Sequence, residues 1–191
     1  MRIWAGVVAA VCAVLLLVGC SSGQSEAGEA APAPVETPVI SGEPAGYNDA
    51  DVAFATEMVA HHKQALELAA VAREQSTNPQ LQALAEQVAA EAQPEINVLN
   101  VFLVQWEETP ELGEPAVPGD AVERLRSHSG ADFDRLWLET MADHHRAAVE
   151  IAGTEIATGE NVDAVAMARQ AVAVQEAGID RVGQVQKELG S

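Results

Sequence analysis

Met58-Val59-Ala60-His61-His62 returns later in the chain as Met141-Ala142-Asp143-His144-His145, and this doubled turn decides the fold. His61 and His144 lie 83 positions apart. At the same offset Asp51 meets Asp134, Phe54 meets Trp137, Lys63 meets Arg146, Ala65 meets Ala148, Glu67 meets Glu150 and Ala69 meets Ala152. The chain therefore contains an internal repeat. At about 100° per residue, Phe54, Met58, His61 and Ala65 fall within about 60° of one another on a helix, with His62 and Asp51 at the edge of the stripe. A thioether and an imidazole share one apolar face, twice.

Around this stripe the sequence reads as four helical segments. The first is capped by Asn48 or Asp49 and runs to about Gln75. The second opens at Thr77-Asn78-Pro79 and carries Leu81, Leu84, Val88, Ile96, Leu99, Leu103 and Trp106, with a kink expected near Ala90 from Pro94. A Pro/Gly/Glu-rich loop from Glu107 to Gly119 follows, then a short helix from Asp120, capped with Glu123 and ending near Ser127. The third segment, about Ala131 to Thr158, repeats the first. The fourth, from Asn161 to about Leu189, repeats the second. Each pair alone would leave an apolar face in water, whereas two pairs close an all-α, four-helix bundle of about 140 residues, enough for one core.

The amino terminus differs in kind. Arg2 precedes an apolar run, Ile3 to Val18, too short for a comfortable membrane span and ending in Leu17-Val18-Gly19-Cys20. These residues resemble a bacterial lipobox. Residues 1–19 then form a signal peptide, and Cys20 becomes the diacylated, palmitate-bearing first residue at the outer face of the cell membrane. Residues 21–48 are mostly Ser, Gly, Ala, Pro and Glu, including Pro32, Pro34, Pro38 and Pro44, a composition expected to stay disordered as a tether. The bundle occupies residues 49–191. The other cysteine, Cys12, lies in the removed segment, so the mature chain has no disulfide and no thiolate ligand.

The 191-residue chain has a formal net charge of −19, which argues against a nucleic-acid partner. It has no Gly-x-Ser-x-Gly and no glycine-rich phosphate loop, so hydrolysis and phosphoryl transfer have little support. Phe102, Trp106, Phe133 and Trp137 are expected to fill the core. His128, without a repeat partner, is expected at the surface, and Glu67 and Glu150 fall off the histidine face into solvent.

Four imidazoles in matched pairs are costly to bury unless each finds a partner. Three readings stay open: metal ligands, a buried polar network, and acid–base catalysis. Ferritin-like di-iron sites use Glu-x-x-His, but here Met58 and Met141 stand where those glutamates would be. A soft thioether in place of a hard carboxylate disfavours iron and favours copper, Cu(I) or Cu(II), ahead of zinc. Asp51 and Asp134 either cap their helices or orient an imidazole by accepting from its ring N–H.

The pattern Asp51-x2-Phe54-x3-Met58-x2-His61-His62-x2-Ala65, with its echo Gly130-x-Asp132-Phe133-Asp134-x6-Met141-x2-His144-His145-x2-Ala148, resembles the family called domain of unknown function 305. The likeness spans about Asp49 to Leu189 and extends to Gln93-x-Glu95-Ile96. It implies a ferritin-like four-helix bundle, secreted or membrane-anchored, linked in several members to periplasmic copper binding and copper tolerance. By position it implies Met58, His61, His62, Met141, His144 and His145 as ligands. Many relatives carry methionine where this chain has Leu68, Leu99, Thr140 and Ile151, so a histidine-dominated Cu(II) or Zn(II) site gains weight. The expected function is a lipid-anchored, extracytoplasmic protein that sequesters copper or hands it to a copper-handling partner, without turnover. The alternatives are an accessory lipoprotein docking on a membrane complex with its histidines as a polar network, and a metal-dependent oxidase or peroxide-handling enzyme, which the missing glutamates disfavour.

Overall fold

Three asparagines set where three of the four long helices begin. Asn48, Asn78 and Asn161 each accept two backbone N–H groups of the following turn, from Ala50 and Asp51, Gln80 and Leu81, and Asp163 and Ala164. The computed structural model describes residues 46–109 and 120–190. The helices are α1 (Asp49–Gln75), α2 (Pro79–Gln105), α3 (Asp120–Arg126), α4 (Gly130–Thr158) and α5 (Val162–Leu189). The expected signal peptide, lipidated Cys20, most of the tether and the 110–119 part of the loop lie outside the described residues. At the tether's expected end, Tyr47 already belongs to the bundle: its ring stacks on Trp106 at 5.1 Å and its hydroxyl donates to the Trp106 carbonyl at 2.8 Å. Pro94 removes one donor from α2, yet the helix runs on through it. No described helix is long and apolar enough to cross a membrane.

Helix α1 packs on α2 and α4, and α4 on α5, whereas α2 and α5 touch little. Helices α1 and α4 are antiparallel. Asp51 near the start of α1 reaches the turn after α4, and Trp137 near the start of α4 donates from Nε1 to the Leu68 carbonyl at 2.8 Å. The repeat is thus a pseudo-twofold about the α1–α4 crossing.

The single core expected from the apolar pattern is divided in two. One cluster joins Leu68, Val71, Leu81, Leu84, Leu125, Phe133, Trp137 and Met141; the other joins Phe54, Met58, Leu99, Phe102, Trp106, Ala148, Ala152 and Met167. His61 and His144 lie between them, both about 1% exposed. The aromatics Phe102, Trp106, Phe133 and Trp137 are all buried, as their spacing predicts.

Asp51 and Asp134 sit at helix ends, two to three turns from the histidines. Asp51 completes a capping box with Asn48 and also accepts from the backbone N–H of Glu160 at 3.2 Å and of Asn161 at 2.9 Å. Asp134 accepts from the Ser76 hydroxyl at 2.6 Å. This corrects the imidazole-orienting alternative: ten residues of rise, about 15 Å, separate Asp51 from His61 along the helix. Burial opposes ionisation of Asp51, but the Asn48 N–H, the Glu155 side chain and the N–H groups of Asn161 and Glu160 more than offset it and hold its pKa low.

Beside Asp51 lies Glu155, about 1% exposed, with neither oxygen in an aligned hydrogen bond. A Cβ at Gly159 would strike this carboxyl, so the glycine makes its room. Burial, and then neighbouring Asp51, push Glu155 up to about 8. A carboxyl raised in the fold holds its proton after the unfolded chain has lost it, so its contribution is greatest at low pH and fades as pH rises through about 8. Glu155→Gln, which mimics the protonated acid, is expected to match the parent near pH 5 and to exceed it near pH 9 by about 1–3 kcal/mol, or roughly 2–4 °C per kcal/mol in thermal unfolding. A stability difference that does not change between pH 5 and 9 would contradict this.

Candidate metal centre

Because His61 and His144 hold equivalent places on antiparallel helices, the crossing lays one imidazole on the other. Their centroids are 3.7 Å apart and their planes 8° from parallel. His62 and His145 stand beside them, at centroid distances of 5.7 Å from His61 and 6.4 Å from His144. The four rings enclose a cavity of about 20 Å³ with Glu91, Glu95 and Gln175 among its walls. That is room for about one water-sized body.

The two outer histidines have different partners. Nε2 of His62 lies 2.8 Å from Oε2 of Glu95 on α2, a close contact that is not aligned as a hydrogen bond. His145 donates from Nδ1 to Oε1 of Gln175 on α5 at 2.6 Å. This leaves Nε2 of His145 as the lone-pair nitrogen, buried and without a hydrogen-bond partner, as are Nδ1 of His61 and both ring nitrogens of His144.

Burial is the first cause that keeps His61, His144 and His145 neutral. Desolvation, then the nearby imidazoles, lowers His61 well below the ordinary histidine value and His144 to about 3. His145 is lowered by burial, with Gln175 and Glu91 working the other way. Neutral imidazoles need lose no proton before binding a metal.

The six ligand positions inferred from sequence do not converge equally. His61, His62, His144 and His145 meet at the cavity, whereas Met58 and Met141 form no part of its lining. Met58 packs with Phe54 and Leu99 and Met141 with Leu68 and Trp137, in the two separate clusters. The antiparallel crossing causes this, because "one turn before the histidine" points in opposite directions on α1 and α4. Among the described residues, no three or more histidine, cysteine, aspartate or glutamate side chains already stand where they could hold a metal ion. A metal would therefore draw its ligands in by side-chain rotation. His128, Glu67 and Glu150 are exposed, as expected.

Gln175 and Gly178 were not singled out from sequence, and Glu95 appeared there only within the Gln93-x-Glu95-Ile96 stretch, with no role given to it, although the 83-residue offset carries a signal for all three. It sets Glu95 against Gly178 and Ala92 against Gln175, so the pseudo-twofold breaks at the waist. Gly178 is required by its neighbour: a Cβ there would lie 2.7 Å from Cε1 of His145.

The chain belongs to the family described as a domain of unknown function (DUF305), whose family model matches residues 51–186. It is similar in structure to a DUF305 fragment from Deinococcus radiodurans, with 26% identity, a TM-score of 0.67, and coverage of 78% of this chain and 99% of that one. A DUF305 protein from Streptomyces coelicolor matches with 24% identity, a TM-score of 0.67, and 74% and 93% coverage. CopM in its Cu(I)-bound form matches with 25% identity, a TM-score of 0.63, and 72% and 96% coverage. No curated protein sequence matches this chain.

Two glycines give opposite expectations. Gly178→Ala forces the His145 ring aside and is expected to destabilise by about 1–3 kcal/mol. Gly153→Ala, in α4 with nothing within 4 Å of the added Cβ, is expected to stabilise by about 0.5–1 kcal/mol. Urea unfolding of both variants checks this, and equal effects would contradict the tight seat assigned to His145.

Proposed function

We propose that the protein binds copper at the histidine waist of its bundle, and sequesters it or hands it on at the outer face of the membrane to which Cys20 anchors it. The observation that carries this reading is the set of buried ring nitrogens without hydrogen-bond partners around one ion-sized cavity. An inert polar network would satisfy these atoms. His145 has the arrangement a ligating histidine needs, with Nδ1–H held by Gln175 and Nε2 left for the metal. The likeness to CopM in its Cu(I)-bound form supports copper as the metal. The Leu17-Val18-Gly19-Cys20 stretch supports the anchored, extracytoplasmic setting.

Here the residues fit a metal, and the bound ion would supply charge and coordination. His62, His144 and His145 are proposed to hold it, with His61 stacked behind His144. Met58 and Met141 flank the waist one turn away and become ligands only if their helices shift.

Isothermal titration of the full chain with Cu(II), and with Cu(I) under reducing conditions, tests the reading. It predicts binding tighter than about 1 μM to at least one ion. The double variant His62→Gln/His145→Gln, with helicity checked by circular dichroism, should lose about 100-fold or more. Binding of neither ion tighter than micromolar would remove the copper assignment.

A further inference from the structure

Glu95 is the one carboxylate in contact with a waist imidazole among the described residues, and the repeat puts glycine at its counterpart, Gly178. Its Oε2 and Nε2 of His62 are both buried, 2.8 Å apart, and neither is in an aligned hydrogen bond. The His62 side chain is 5% exposed and that of Glu95 24%, so the pair stands at the edge of the cavity with its two facing atoms shut from water. The spacing suits another role. Two donors at adjacent corners of a tetragonal metal, with bonds of about 2.0 Å at a right angle, stand about 2.8 Å apart.

We propose that Glu95 is itself a metal ligand, paired with His62, and that it makes the waist prefer Cu(II) to Cu(I). The proposal deepens the copper reading above and rests on it. A carboxylate oxygen is a hard donor and its negative charge offsets more of a divalent ion than an imidazole can. The thioethers that would favour Cu(I) lie outside the cavity. Access comes from the same side. The cavity adjoins a groove of about 240 Å³ along the loosely packed α2–α5 seam, and Val88, Glu91, His145 and Val174 line both. Glu91 is exposed on α2, one turn before Glu95, so a cation entering by the seam meets a carboxylate at the mouth and a second beside His62. Arg181 lines the outer groove and limits the attraction there.

Competition titrations of the full chain with Cu(II) and, anaerobically, with Cu(I), together with Cu(II) electron paramagnetic resonance, test this on Glu95→Gln and Glu95→Asp. The Gln variant is expected to lose Cu(II) affinity by about 10- to 100-fold, keep Cu(I) affinity within about threefold, and show altered copper hyperfine splitting. The Asp variant, which keeps a carboxylate, is expected to retain more Cu(II) affinity than Gln. Wild-type binding of copper with unchanged Cu(II) affinity and spectrum in Glu95→Gln would overturn the ligand assignment alone. Equal weakening of both ions would reduce Glu95 to a support for His62 and overturn the preference. Wild-type chain that binds neither ion would overturn the copper reading, and this proposal with it.

Discussion

Stacking two neutral imidazoles at the crossing of α1 and α4 is the constraint on which the rest of the molecule turns. A histidine pair 3.7 Å apart and shut from water cannot carry charge cheaply. The surrounding helices must therefore exclude solvent while leaving the ring nitrogens something to bind. The apolar residues do the first: they gather into a cluster on each side of the waist and clamp the crossing from both ends. The second is left open at several nitrogens, so the waist is the least satisfied part of a well-packed bundle.

The repeat explains the construction, and it fails at the waist. Capping is duplicated: asparagine begins α2 and α5, the second helix of each repeat, and an aspartate near the start of α1 and of α4 ties that helix to the far end of its partner. At the waist the duplication stops. One side offers His62 with a carboxylate from α2, and the other offers His145 with an amide from α5 and a glycine that makes room for the ring. A symmetric pair of helix hairpins thus encloses an asymmetric cavity, with its negative charge toward the α2–α5 seam.

Much of this was legible in the residues. Asn48, Asn78, Pro79 and Asn161 mark helix starts by a local hydrogen-bonding mechanism, so the boundaries followed with little error. The stripe through Phe54, Met58, His61 and Ala65 placed the histidines inward because helical periodicity is local too. What depended on how one helix lies against another was not legible. The pairing of His62 with Glu95 needs the register of α1 on α2. The parting of Met58 from Met141 needs the antiparallel sense of α1 and α4. The division of the core follows from the height at which the histidines cross. Asp51 shows the same limit: its side of the helix was readable, but its backbone partners across α4 and α5 were not.

The central claim is that copper sits within the waist, among the imidazoles of both repeats. Anomalous diffraction at the copper edge, from crystals of the copper-loaded full chain, tests it most directly. The account predicts a peak between α1 and α4, about 2.0–2.3 Å from imidazole nitrogen. Copper found only on surface groups such as His128, with the four waist rings still stacked and unligated, would contradict it.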